Sequence, residues 1–218
     1  MDEPSLRVCE IFRSIQGEGT RAGRPCVFVR LAGCGVGCAW CDTGYAADPS
    51  AGRDMSLSRL MEEVRAWKTR LTQLTGGEPL EQAESARFAC ALAREGFEVA
   101  VETSGTRDIS VLPPPVARIM DVKAPSSGAA GKMHWPNLDI LRPDDEIKFV
   151  LADRADYEYA RRLVGERNLS ERATVLFGAV RERLDPAVLA DWMLADRLEV
   201  RLQLQLHRIL WPDIERGK

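Results

Sequence analysis

Apolar positions recur along this chain with two periods, and the change from one to the other marks out its elements. Residues 8–12 and 26–31 read as strands, as do 71–74, 97–101, 118–122, 146–151 and 174–180. Between strands the spacing becomes helical. Leu57, Leu60, Met61, Val64 and Trp67 fall on one helix face, with Ser56 placed to cap its N-terminus. A second helix is expected over residues 83–95, closing at Gly96, and Tyr157, Ala160 and Val164 give the apolar face of a third. Asp185-Pro186 supplies the cap and first turn of a fourth, running to Asp196. The run 200–206 alternates leucines with Arg201, Gln203 and Gln205. It is either a sheet edge with one wet side or a strand whose Gln203, Gln205 and His207 line a pocket closed by Trp211 and Pro212.

Strands alternating with helices predict an α/β fold with a parallel sheet. The polar residues cluster where strands end: Thr75-Gly76-Gly77-Glu78-Pro79, Glu102-Thr103-Ser104-Gly105-Thr106 and Asp121-Val122-Lys123. That placement describes a barrel or half barrel with its site at one mouth. Residues 107–116 and 124–145 are too rich in Pro, Gly and Ser for full crossover helices, so the barrel is expected to be pared down.

Composition narrows the class. With 218 residues, 45% of them apolar, the chain fits one substantial core and a single domain over 1–218. Thirty basic against thirty-three acidic residues give a net charge of -3, so no global basic field favours nucleic acid or an anionic membrane. No apolar run approaches the ~20 residues of a membrane span, and the Met-Asp-Glu-Pro start lacks the basic flank of a secretory signal. A cytoplasmic protein with six reduced cysteines is expected.

Three of those cysteines carry the chemistry. Cys34, Cys38 and Cys41, spaced C-x3-C-x2-C, follow an apolar strand directly, among Gly33, Gly35 and Gly37. An odd number of thiols so close together suits a metal better than disulfides. Either an iron-sulfur cube with one iron left open or a structural zinc completed by Cys9, Cys26 or a histidine would satisfy them. Ahead of the loop, the Gln16-Gly17-Glu18-Gly19 turn is either a hairpin tip or a reader of a ring edge bearing amide groups, since Gln16 donates and accepts while Glu18 only accepts. Arg30, at the end of its strand, could clamp a carboxylate or pair with an internal acid. Cys9, Cys26 and Cys90 read as structural, and His134 as an exposed loop residue.

Taken together, Ser-Ile-Gln-Gly-Glu-Gly, Arg-Leu-Ala-Gly-Cys, Cys-Ala-Trp-Cys-Asp-Thr, Thr-Gly-Gly-Glu-Pro, Glu-Thr-Ser-Gly-Thr and the late Leu-Gln-Leu-His resemble the 7-carboxy-7-deazaguanine synthase family of radical S-adenosylmethionine enzymes, from Glu10 to about Pro212. The resemblance implies a partial (β/α)6 TIM-like barrel with reduced helices and a C-terminal strand. It implies a [4Fe-4S] cluster on Cys34, Cys38 and Cys41, and S-adenosylmethionine held by Ala39, Trp40, Gly77, Glu78, Ser104, Asp121 and Lys123. It places the substrate, 6-carboxy-5,6,7,8-tetrahydropterin, on Ile15, Gln16, Gly17, Arg30 and Thr75, with Glu18 added from the turn and Gln205 and His207 from the final run, and Mg2+ on Thr43. A lyase that contracts the pterin ring with loss of ammonia, a flavodoxin-like reductant and a homodimer are also implied. The sequence departs from the family at Asp121-Val122-Lys123, where many relatives carry Ser-Pro-Lys. The rival readings are a radical activating enzyme that acts on a protein and a zinc-stabilised module without catalysis.

Overall fold

The computed structural model describes residues 3–214 and 216–218. Among the described residues, nine strands form one sheet in the order β3-β1-β2-β4-β5-β6-β7-β8-β9. From β2 (Pro25–Leu31) onward the neighbours are parallel: β4 (Leu71–Gly76), β5 (Glu98–Thr103), β6 (Ala117–Asp121), β7 (Glu146–Leu151), β8 (Thr174–Ala179) and β9 (Arg201–Gln203). At the other edge, β1 (Ser5–Ile15) and β3 (Arg53–Ser56) run antiparallel to their neighbours. The order is linear, so the sheet is an open, partial barrel of the kind the sequence implied.

Period-2 alternation divides the parallel strands cleanly. Leu74, Val99, Val101, Met120, Ile147, Phe149, Val175 and Phe177 point to the helix-covered side and belong to two buried clusters. One cluster takes Leu60, Met61 and Val64 of α1 (Leu57–Ala66) and Phe88, Ala89 and Leu92 of α2 (Ser85–Arg94). The other takes Tyr157, Ala160 and Val164 of α3 (Arg154–Glu166), Leu169 of α4 (Leu169–Arg172), and Leu189 and Met193 of α5 (Pro186–Asp196). Truncating a fully buried side chain such as Leu60 or Phe149 would remove about 2–5 kcal/mol. Gln73 and Thr75 of β4, Glu102 of β5, Asp121 of β6, Lys148 of β7 and Gln203 of β9 take the opposite parity and line a cavity.

The helices start where their caps place them. Ser56 accepts from the Arg59 amide, Asp153 from Asp156 and Asp185 from Ala187. As expected, β5–β6 and β6–β7 are joined without α-helices. The second of these crossovers is pinned instead by charge. Asp145, 1% exposed, binds Arg118 through Nε at 3.0 Å and Arg142 through Nη2 at 3.1 Å.

Several boundaries differ from the sequence reading. β1 runs on to Ile15, β3 was not foreseen, and α2 begins at Ser85. Trp67 is 42% exposed at the end of α1 rather than on its buried face, and His134 is half-buried. The final run pairs only over Arg201–Gln203 and then forms a short helix, α6 (Leu206–Leu210). Its inward face is the polar one: Gln203 is buried while Leu202 and Leu204 are exposed. The reason is charge, because Glu18 offers Gln203 an anionic acceptor inside. No helix among the described residues is long and apolar enough to cross a membrane.

Candidate active site

A cavity of about 430 Å³ opens at the C-terminal ends of the parallel strands, where α/β folds place their ligands. Every site residue singled out in the sequence lines it except Ala39, Glu78, Trp211 and Pro212.

The loop from Gly33 to Thr43 forms one wall and is tied down along its length. Gly33 N donates to Ala46 O at 2.8 Å and Cys34 N to Ala47 O at 3.0 Å. Lys132 Nζ donates to Val36 O at 2.7 Å, and the Trp40 indole N–H to Ser126 Oγ at 3.0 Å. Ala39 lies behind the wall, donating its N–H to Ser127 O at 3.0 Å. Cys34, Cys38 and Cys41 all line the cavity. Among the described residues no three His, Cys, Asp or Glu side chains are drawn close enough to hold a single ion. Burial pushes the Cys34 and Cys38 thiols up, although at Cys38 the Lys123 ammonium works against it.

The Gly76-Gly77-Glu78 turn packs against this loop backbone to backbone. Gly77 N donates to Leu31 O at 2.8 Å and Glu78 N to Gly33 O at 2.9 Å. A Cβ on Gly77 would stand 1.9 Å from Gly33 O, so only glycine fits. The Glu78 carboxylate turns away from the cavity and is fully buried. It accepts from Leu80 N at 2.9 Å, Thr103 Oγ1 at 2.7 Å and Ser104 N at 2.6 Å. Glu78 therefore joins two strand exits, and Gly77 and Ser104 line the cavity in front of it.

On the next exit, Lys123 Nζ binds Asp121 Oδ2 at 2.9 Å, while Asp121 Oδ1 is buried without a partner. Burial acts to depress the Lys123 pKa, but Asp121 and Cys38 outweigh it and raise it above the ordinary value.

The opposite wall is the turn after β1. Glu18 receives Lys148 Nζ at 2.7 Å and Gln203 Nε2 at 2.8 Å on one oxygen, and Gln205 Nε2 at 2.7 Å on the other. Leu206 N donates to Gly17 O at 3.0 Å, and a Cβ on Gly17 would meet His207 Nδ1 at 2.3 Å. The turn thus closes the open side of the sheet against β7, β9 and α6. Burial lowers the His207 pKa, partly opposed by Glu18. Arg30 lies between Phe12 and Tyr45, 5.7 Å from each ring centroid, and its Nε meets Glu10 Oε1 at 2.8 Å. Arg30 thus has the internal acid that the sequence allowed, Glu10, and it also lines the cavity.

Gln73, Glu102 and Lys148 join this site without having been assigned to it from the sequence. Their signal was a polar residue at the parity opposite the buried apolar positions of its strand. Trp211 and Pro212, expected to close the pocket, do not line it; Ile214 and Lys218 do.

This arrangement matches known proteins. The Radical SAM superfamily model covers residues 29–170. The 7-carboxy-7-deazaguanine synthase of Koribacter versatilis is 40% identical over 97% of this chain and 100% of that one; the enzyme of the same name from Chlorobaculum tepidum is 41% identical over 99% and 98%. The chain belongs to the 7-carboxy-7-deazaguanine synthase family. It is thus a radical S-adenosylmethionine enzyme and a lyase. The fold agrees: the crystal structure of QueE from Escherichia coli superposes with a TM-score of 0.76 at 22% identity, over 91% of this chain and 94% of that one. SuiB from Streptococcus suis, bound to S-adenosylmethionine, shares the fold more distantly, with a TM-score of 0.58 over 78% of this chain and 47% of that one.

Membership implies a [4Fe-4S] cluster and S-adenosylmethionine, and the residues fit them. In such a cube each thiolate binds a different iron, so the three sulfurs need not converge on one ion. Beside the cysteines lie the backbone of Gly77, the Ser104 hydroxyl and the unpartnered Asp121 Oδ1, a donor and acceptor set suited to a polar, zwitterionic cofactor.

Proposed function

We propose that this chain converts 6-carboxy-5,6,7,8-tetrahydropterin to 7-carboxy-7-deazaguanine, the ring contraction that feeds queuosine and other 7-deazapurines. The observation that carries the reading is the position of the Gln16-Gly17-Glu18 turn. It faces the three-cysteine loop across one cavity, so groups able to read a nitrogen heterocycle sit opposite groups able to hold a cluster.

Bound at the cysteine loop, the cluster and S-adenosylmethionine supply a one-electron reductant and a carbon radical that takes up a hydrogen atom. The chain supplies position. Cys34, Cys38 and Cys41 would bind three irons, with Trp40 against the cofactor and Ala39 holding the loop from behind. Gly77 and Ser104 would meet its methionine end, Asp121 Oδ1 would accept from one of its hydroxyl or amino groups, and Lys123 would keep Asp121 in place. Glu78 acts behind them by fixing the turn. On the other wall, Ile15, Gln16, Gly17, Glu18 and Thr75 would orient the pterin, with Gln205 and His207 enclosing it and Arg30 clamping its carboxylate. Thr43 offers one hard oxygen to Mg2+, a cation that keeps several waters and takes further oxygens from substrate. The product differs from the substrate by one ammonia, so the conversion balances without a net oxidant. With cofactor and pterin both in place, the cavity walls would keep water from the reacting atoms.

A flavodoxin-like electron donor, a homodimer and a cytoplasmic setting are part of the same reading. An activating enzyme that acts on a protein gives no role to the Glu18 turn, which here is held to Lys148 and Gln205 along one side of the cavity. The test is anaerobic reconstitution with iron and sulfide. The wild type should take up about four irons and bind both S-adenosylmethionine and the pterin, as expected for a cube on three thiolates. Each of Cys34→Ala, Cys38→Ala and Cys41→Ala should lose the iron. One tightly held zinc in place of the cluster, or no pterin binding by the loaded wild type, would overturn the reading.

A further inference from the structure

The cavity floor carries a closed circuit of hydrogen bonds. Glu18 N donates to Gln16 Oε1 at 3.1 Å, and Gln16 Nε2 to Gln73 Oε1 at 2.5 Å. Gln73 Nε2 donates to Glu102 Oε2 at 2.9 Å. Lys148 Nζ closes the ring by donating to Glu102 Oε1 at 2.5 Å and to Glu18 Oε2 at 2.7 Å. Glu102 can only accept and Glu18 N can only donate, so both glutamine amides between them are fixed in one orientation. Lys148 is 7% exposed and is the one cation among these five residues. The two carboxylates come from distant parts of the chain and meet only through its Nζ.

We propose that Lys148 is a positioning residue that keeps Glu18 and Glu102 both ionised, side by side, so that the cavity offers two acceptor-only carboxylates to an N–H-bearing ligand edge. Two carboxylates this close cannot both stay charged without a cation between them; one takes up a proton. A protonated carboxyl becomes a donor, and a donor facing the N–H groups of an aminopyrimidinone is a mismatch. Thr75 Oγ1, donating to Glu102 Oε2 at 3.1 Å, supports the ionised form but brings no charge. The other charged or titratable groups facing the pair are Asp121 at the end of β6, Lys123 just beyond it, and His207 from α6 with Asp42 and Arg208 beside it. Asp121 and Lys123 are paired with each other, and His207 is pressed toward neutrality, so none replaces Lys148. Burial alone would raise the Glu102 pKa, and Lys148 instead brings it down to about 2.

The identity of the ligand edge rests on the pterin reading above; the charge-keeping role does not. The experiment therefore has two readouts on the reconstituted enzyme, comparing wild type, Lys148→Met, Lys148→Arg and Lys148→Met/Glu102→Gln. Infrared spectroscopy at pH 7 without substrate should show a protonated carboxyl C=O band in Lys148→Met that is missing from wild type, Lys148→Arg and the double variant. Kinetics should show KM for 6-carboxytetrahydropterin raised about tenfold or more in Lys148→Met near pH 7, recovering as pH rises, with iron content and S-adenosylmethionine affinity within about twofold of wild type. Lys148→Arg should retain most of the affinity with a flat profile. A Lys148→Met enzyme with no carboxyl band, or with a KM loss equal at every pH, overturns the proposal. If Lys148→Met fails to fold while the double variant folds, the unpaired charges are confirmed as the cause; if neither folds, Lys148 is structural and the proposal falls. A carboxyl band together with a wild type that does not turn over the pterin upholds Lys148 and removes the pterin reading.

Discussion

Glu78→Gln separates a residue that touches the cofactor from one that builds its seat. The carboxylate is fully buried and receives three donors: Leu80 N and Thr103 Oγ1 on one oxygen, Ser104 N on the other. A glutamine can keep the first oxygen, but its NH2 must then face the Ser104 N–H. Turning the amide over strands two donors instead of one, so the first arrangement wins. Replacing one charge-assisted bond with a donor facing a donor should cost about 2 kcal/mol. In a chain of this size that lowers Tm by about 4–8 °C. The assay is thermal unfolding of the cluster-free protein, with S-adenosylmethionine affinity measured on the reconstituted enzyme. The account predicts a lowered cluster-free Tm together with a weakened affinity, because the Gly77 backbone and Ser104 lose their tie. An unchanged cluster-free Tm with an affinity loss of tenfold or more would refute it and make the carboxylate a direct ligand.

Other perturbations test other parts. Arg30→Ala should raise KM for the pterin by about tenfold or more with iron content unchanged, as loss of a charge-assisted clamp requires; lost iron with unchanged KM would remove that assignment. Glu102 lies below its ordinary carboxylate value, at about 2, so its contribution to stability is present above pH 4.5 and fades as pH falls toward 2. Chemical denaturation across that window should therefore show a steeper loss in wild type than in Glu102→Gln, and equal slopes would contradict the Lys148 pairing. Burial pushes the Cys26 thiol up to about 12. A maleimide at pH 8 should label exposed Cys41 quickly and Cys26 only after unfolding, and rapid labelling of Cys26 in the folded protein would show that β2 is less enclosed than described.

The parallel sheet and its missing helices were legible because strand and helix periods are properties of a few consecutive residues. Short elements escaped for the same reason. Four residues of β3, two of them charged, leave no period to read. The cysteine loop and the Gly-Gly-Glu-Pro turn declared themselves by residue type and spacing, yet Glu78 showed which way it points only once Thr103 and Ser104 were placed beside it. Gln73, Glu102 and Lys148 are separated by 29 and 46 residues, and nothing local marks them as one circuit. For residues 201–204 the sequence allowed either face inward, and the choice rests on a distant residue. Leucines ordinarily claim the inside, and only the distant Glu18 gives Gln203 the stronger claim.

Anaerobic turnover of the reconstituted enzyme with S-adenosylmethionine, a chemical reductant, Mg2+ and 6-carboxytetrahydropterin, followed by mass spectrometry, tests the central claim most directly. The account predicts 7-carboxy-7-deazaguanine and ammonia in equal amounts, lost in each of the Cys34, Cys38 and Cys41 alanine variants. Accumulation of 5′-deoxyadenosine without the deazapurine, from an enzyme carrying its full iron, would contradict it.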